Sequence, residues 1–353
     1  MAALFSDIRT PFVNEATLKR IMSNRTKSNI FQGILTKPNE AVTEKFSTDT
    51  DAAEIQVIRV KPVNKDAREI GSDTNGGWFN NSAAATPTTA AYPIRILKTV
   101  DDLIDIPTNQ QDMMNVDLVE AELSNLAGRV NRNINAMTIA AQLCKNFNDI
   151  RSTAIANNWV VLGADADYKN AIIDAGTKLD EGNSAEGIDA YPDDMRAIIL
   201  RPEAKSALLK KGQIIIGGSD TAQRILRNGG VDEETRPTVA TTGFLGEIDN
   251  MPAYVASPSI WTLAARYLGL AETALNNVKG LVVSAVGCGR ALAFNSAVQI
   301  GECPLGQGRR IKPKYRFGAE CWDGLSVVPI VTEDFTNPAT SAALQVIAPG
   351  SRT

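Results

Sequence analysis

The segment Leu281-Val282-Val283-Ser284-Ala285-Val286-Gly287-Cys288-Gly289-Arg290-Ala291-Leu292 is where chemistry would first be sought. An apolar run ending in G-x-G is how a dinucleotide-binding strand meets its phosphate-holding helix, and Glu302 further on adds to the mimicry. Leu292 stands where the third glycine belongs. Only about two helical turns fit before the apolar run at Ala297–Ile300, too few for a ~30-residue βαβ unit. A glycine turn between strands is the expected reading. An oxidoreductase using Gly287 and Gly289 survives only if this segment opens a helix. Neither a G-x-x-x-x-G-K-S/T phosphate loop nor an EF-hand loop occurs, so neither nucleotide nor calcium is implied.

The other reactive residue types point the same way. The chain has no histidine, which removes Ser-His-Asp and Cys-His triads, histidine-bearing metal sites and the usual proton shuttle near neutral pH. Carboxylate, lysine and tyrosine chemistry remain open. Cys144, Cys288, Cys303 and Cys321 stand alone, without a C-x-x-C pair. Cys144 falls among the apolar positions of a helix and reads as a small buried hydrophobe. Scattered cysteines suit a reducing compartment. The basic run Arg309–Arg316 sets its charges on one side of a period-two strand, which suits a solvated or salt-bridged sheet face. With a net charge of -4 and 6% aromatics, no polyanion-binding or base-stacking surface is expected. No catalytic, cofactor or metal residue is assigned, and an enzyme is not expected.

The elements that would position these residues suggest a different kind of work. At 353 residues and 44% hydrophobic, the chain can bury a sizeable core in two or three domains. The N-terminus lacks a basic region followed by an apolar one, so no signal peptide is expected. No apolar run approaches the ~20 residues that span a bilayer. A soluble protein made in a cytosol is the expectation. Residues 1–50 carry only short apolar groups, and an arm lying across something else is expected there, with one short helix near Glu15–Ser23.

Glu54–Val63 is rich in β-branched residues, with a phase slip at Val57-Ile58 that could mark a bulge. Its partner run, Tyr92–Pro107, alternates Tyr92, Ile94, Ile96, Val100, Ile104 and Ile106. The connection Asn64–Ala91 far outgrows a tight turn, and such a length is functional or disordered in a compact domain. Its middle carries Asn75, Gly76, Gly77, Trp78 and Phe79. The two aromatics either fold back on their own domain or anchor to a partner surface.

A long amphipathic helix follows, Asn115–Asn148, with Val119, Leu123, Leu126, Val130, Ile134, Met137, Ala141 and Cys144 in one stripe. At ~1.5 Å per residue it runs about 50 Å. The stripe lacks regular e/g charge pairs and β runs flank it, so it reads as the spine of an α+β domain rather than a coiled coil. Beyond it the pattern predicts a helix at Tyr168–Leu179, a strand at Met195–Leu200 and a helix opened by Arg201-Pro202 and closed by Gly212. A strand at Ala253–Ala256, a helix over Ile260–Val278 and a strand at Leu281–Val286 come next. The alternating run Ile311–Cys321, the turn Asp323-Gly324 and Leu325–Val331 predict a β-hairpin.

In this order the parts resemble the major capsid protein of tailed bacteriophages, the Hong Kong 97-like (HK97-like) fold. Local phrases carry the resemblance: the strand-proline-helix unit Met195–Leu209, the passage Gly243–Ser257, and the closing strands from Tyr315 to Pro329. It covers about residues 1–335. The resemblance implies an N-terminal arm at 1–50 and an extended E-loop hairpin at 51–107. It implies a peripheral domain with spine helix and sheet at 108–164 and 298–353, and an α/β axial domain at 165–297. It further implies self-assembly as hexamers and pentamers into an icosahedral shell around double-stranded DNA touched without sequence preference. A portal and a separate scaffolding or cement protein would be partners, and no membrane. The place of such a protein is the virion capsid, assembled in the host cytoplasm, with Asn75, Gly76, Gly77, Trp78 and Phe79 as assembly contacts. An encapsulin nanocompartment, built on the same fold, is the alternative shell. No residue matches the lysine–asparagine cross-link of some members.

Overall fold

The computed structural model describes residues 40–41, 54–61, 88–95, 104–106, 118–163, 165–184, 188–211, 244–293, 299–302, 309–312, 316–340 and 342–347. In chain order the first strands are β1 (Glu40–Ala41), β2 (Glu54–Lys61), β3 (Thr88–Arg95) and β4 (Ile104–Ile106). Helix α1 (Leu118–Arg151) leads to β5 (Val160–Leu162), α2 (Tyr168–Asp180), β6 (Arg196–Leu200) and α3 (Pro202–Lys210). Then come β7 (Phe244–Ile248), β8 (Met251–Val255), α4 (Pro258–Tyr267), β9 (Val278–Ser284) and β10 (Cys288–Ala293). The closing strands are β11 (Gln299–Glu302), β12 (Arg309–Lys312), β13 (Arg316–Cys321) and β14 (Val327–Thr332).

A six-stranded mixed sheet in the order β5-β14-β9-β6-β8-β7 forms the central layer. Its strands alternate between two cores. Ala197, Ile199, Leu281, Val283, Val327 and Val331 share a core with α1 and α4. Ile198, Leu200, Val282, Val328 and Ile330 face the other way, into a core with Tyr168, Ile172 and Leu179 of α2 and Leu208 of α3. Both faces are covered, which is why β6 and β9 read as near-continuous apolar runs rather than alternating ones. The sheet draws β5 from the 108–164 segment, β14 from 298–353 and four strands from 165–297, so its hydrogen bonding crosses both boundaries drawn from the sequence.

Among the described residues there are three smaller sheets: β1-β10-β13, β11-β12-β4 and the ribbon β2-β3. The ribbon runs in unbroken register from Glu54↔Arg95 to Lys61↔Thr88, so the bulge expected at Val57-Ile58 does not form. The run Tyr92–Pro107 is not one strand either. Its first part pairs with β2, while Ile104–Ile106 pairs with β12 in another sheet.

Two further expectations are corrected at turns. The helix expected over Ile260–Val278 stops at Tyr267. Gly269 takes φ +70, letting its N–H reach Arg266 O and the Leu270 N–H reach Ala265 O, a left-handed cap that ends a helix. The hairpin expected at Asp323-Gly324 is a corner instead. The Asp323 carboxylate accepts from Leu325 N at 3.0 Å and fixes a 3-10 turn over Gly324–Ser326, which sends the chain into a different sheet. The run Ile311–Cys321 is likewise divided between β12 and β13.

Helix α1 runs 34 residues, about 51 Å. Its expected single stripe gives way to burial all round from Ile134 to Leu143, where α4 and β13 both pack on the helix. The side chains of Val119, Leu123, Leu126 and Val130 lie outside the described residues.

Candidate assembly surface

The ribbon β2-β3 meets the body of the protein through the end of β3. Tyr92 and Ile94, two residues apart, share a face of the strand. Ile94 is fully buried, and Tyr92 stacks on Trp322 with ring centroids 5.0 Å apart and planes 21° from parallel. Gly289 of β10 makes room for both. A Cβ there would meet Trp322 at 2.9 Å and Ile94 at 3.0 Å. Aromatic stacking and complete desolvation of an isoleucine hold the ribbon at this root.

Beside the root lies a cleft lined by Arg95, Cys144, Lys145, Asn148 and Glu320, closed by the strap 342–347. The strap is held by side-chain groups imitating a strand partner. Asn148 Nδ2 donates to Leu344 O at 2.9 Å, and Leu344 N donates to Asn148 Oδ1 at 2.8 Å. The Ile347 N–H reaches Tyr267 O at 2.7 Å. Burial raises the Glu320 carboxyl above its ordinary value, against the opposing pull of Arg95 and Lys145. Burial also pulls the Lys145 ammonium down, but its 2.8 Å bond to Asp149 together with the charges of Asp149, Cys321 and Asp323 lifts it overall. The Cys144 thiol is pushed up to about 11 by burial and then by Glu320. A thiol held protonated in this way is a poor nucleophile, so the cleft is a packed polar seam in character.

The corner between β13 and β14 is the other polar centre. Asn146 of α1 is completely buried, and its Nδ2 faces Val327 O at 2.8 Å, Gly324 O at 3.0 Å and Asn158 O at 3.3 Å. Asn158 Nδ2 reaches Val327 O at 3.0 Å and Gly324 O at 3.2 Å. Asp323, 5% exposed, accepts from the Tyr191 hydroxyl and from Asn183 Nδ2 at 3.1 Å. Burial, then the Asp323 charge, holds the Tyr191 hydroxyl protonated far above its ordinary range, which keeps it a donor. Arg196 in turn donates to Tyr191 O and to Asp180. Helix α1, both sheets at the corner and the end of α2 are thereby tied through one network, whose members strengthen each other in a low-dielectric setting.

Among the residues singled out by sequence, the structure brings Gly287 and Gly289 to this corner. The segment is strand, 3-10 turn (Ala285–Gly287), strand, so no helix N-terminus follows the glycines. A Cβ on Gly287 would meet Ser326 Oγ at 2.0 Å, and close approach of the two corners is what the glycine serves. The basic run divides. In the register of the sheet β11-β12-β4, Arg309 lies opposite Glu302 and Arg310 opposite Asp105. Lys314 and Tyr315 lie outside the described residues, as do Asn75, Gly76, Gly77, Trp78, Phe79, Cys303 and the short helix expected near Glu15–Ser23. Asn146 and Asn158 were missed by sequence reasoning and Asp323 was read only as a turn residue, since single polar residues in apolar surroundings carry no local signature of their partners. Among the described residues, no helix is long and apolar enough to cross a membrane.

No protein-family model and no curated protein matches the chain. Solved structures do. The capsid of Ralstonia phage GP4 is similar at a TM-score of 0.51 and 10% identity, over 87% of this chain and 92% of that one. The acidic stable capsid of Helicobacter pylori bacteriophage KHP30 is similar at a TM-score of 0.49 and 12% identity, over 79% of this chain and 84% of that one. With a long helix, a two-stranded ribbon and a mixed sheet, and a likeness that extends over 87% of its length, this chain has the α+β Hong Kong 97-like fold of the Ralstonia phage GP4 capsid.

Proposed function

We propose that this chain is the major capsid protein of a tailed bacteriophage, a structural subunit that self-assembles into an icosahedral shell around double-stranded DNA. The single observation carrying this reading is the likeness to the Ralstonia phage GP4 capsid, which extends over 87% of this chain and 92% of that one. The ribbon supports it. Its root is fixed by Tyr92, Ile94 and Trp322, and its strands continue from Tyr92 for four further paired positions, to Lys61 and Thr88.

In this reading 1–50 is an arm, 51–107 the E-loop, 108–164 with 298–353 the peripheral domain and 165–297 the axial domain. Asn75–Phe79 at the E-loop tip contact neighbouring subunits in hexamers and pentamers. Each contact is modest alone, and closure of a symmetric lattice multiplies them. The work is assembly, not catalysis, and it takes place in the host cytoplasm before the protein resides in the virion. A portal and a separate scaffolding or cement protein are its partners, and DNA is touched without regard to sequence. The test is electron microscopy of the sedimented protein, expressed alone and with its neighbouring phage genes. Shells or capsomers are expected. Dispersed monomers under both conditions would overturn the reading.

A further inference from the structure

We propose that Cys288 and Cys321 form an intrasubunit disulfide under oxidising conditions, a modification site that stitches the β-structure at its corner. The chain passes from the central sheet to the β10-β13 sheet at Ala285–Gly287 and returns at Gly324–Ser326, so β9-β10 and β13-β14 form one antiparallel ribbon bent at paired turns. Cys288 and Cys321 are the first register partners beyond the bend. Both are buried. Their sulfurs stand 3.3 Å apart with the Cys288 thiol donating to Cys321 Sγ, and the Cys321 thiol donates to Asp323 O, also at 3.3 Å. Directly opposed residues of antiparallel strands have α-carbons roughly 4.5–5.5 Å apart, within the range that a disulfide spans. Closing the contact to a bond of about 2.05 Å asks for side-chain approach, not a new backbone path.

The oxidant is a peroxide, small enough to enter a packed corner. The thiolate of one cysteine attacks a peroxide oxygen, the O–O bond breaks, and hydroxide leaves to take up the thiol proton as water. The sulfenic acid so formed is attacked by the partner sulfur, the S–O bond breaks, and a second water leaves. Two thiols and one hydrogen peroxide thus give one disulfide and two waters, the sulfurs losing the two electrons that the peroxide gains. Burial, and then the Cys288 contact, raise the Cys321 thiol well above its usual range, which makes the first step slow. The second is immediate, because the resolving sulfur is already in contact. A reducing cytosol keeps the pair as thiols, and an extracellular setting closes it. Both sulfurs belong to one subunit, so the inference stands apart from the shell reading.

The experiment treats the purified full chain with hydrogen peroxide, denatures it in an alkylating agent and maps the peptides by mass spectrometry. A linked pair containing Cys288 and Cys321 is expected, lost on treatment with dithiothreitol, and the oxidised protein should unfold at a higher temperature until it is reduced. Full alkylation of both residues after oxidation would overturn the proposal. So would a link from either residue to Cys144 or Cys303, or an unfolding midpoint that oxidation leaves unchanged or lowers.

Discussion

Glu320 shows how burying one carboxyl can cost stability even with cations beside it. Its carboxyl titrates above the ordinary 4.5 because burial penalises the charged form. Between the unfolded and folded values the native state holds more protons, so stability falls as pH rises through that window. Glu320→Gln should raise the unfolding midpoint at neutral pH and flatten its decline above about pH 4.5. A lower neutral midpoint would mean that Arg95 and Lys145 outweigh burial. Cys144, raised to about 11, should resist iodoacetamide at pH 8 in the native protein and react once unfolded. Rapid native labelling would contradict the packed seam. Trp322 covers Tyr92 and the surface of Gly289. Trp322→Ala should cost roughly 2–3 kcal/mol, less than a fully buried aromatic, while Trp322→Phe retains part of the stack. Equal midpoints for the two variants would sink the anchoring role.

At the scale of elements, the end of α1 is fastened to the β13-β14 corner by Asn146 rather than by apolar packing alone. Asn146→Ala leaves the carbonyls of Gly324 and Val327 with Asn158 as their remaining side-chain donor, at a cost of about 1–2 kcal/mol, read as a drop in denaturant midpoint. An unchanged midpoint would show that Asn158 or water suffices. Helices α2 and α3 were legible from the sequence because their signals are local. Asp167 caps α2 by accepting from Asn170 N, and Pro202 opens α3. The strand before α3 was equally clear. Which strand pairs with which was not. β14 lies between β5 and β9, and β13 joins β10, although β13 and β14 are separated by only one turn. A period-two pattern reports that a strand has a buried face and leaves its neighbour unspecified.

For the molecule as a whole, shell-building should depend on the ribbon and its connection rather than on the central sheet. Deleting Asp73–Ala84 should leave the midpoint of the subunit close to wild type while abolishing closed shells, checked by calorimetry and electron microscopy on the same sample. Normal shells from the deletion would remove the tip from the assembly contacts. A large fall in midpoint would instead place this segment in the subunit core.

The sequence by itself determined the order of parts: two strand runs around a long connection, one very long helix, then short α/β elements ending in strands. Those are consequences of side-chain periodicity, capping and turn residues, all of which act within a few positions along the chain. It also determined that histidine chemistry is closed to this protein. Only the tertiary structure decided that Gly287 faces Ser326, that Cys288 meets Cys321, and that Asp323 gathers Tyr191 and Asn183. These contacts join residues separated by 33 to 140 positions, as with Cys288–Cys321 and Asn183–Asp323. Packing sets such distances, because a buried polar group takes whichever partner the fold brings near, and nothing in the local sequence names that partner.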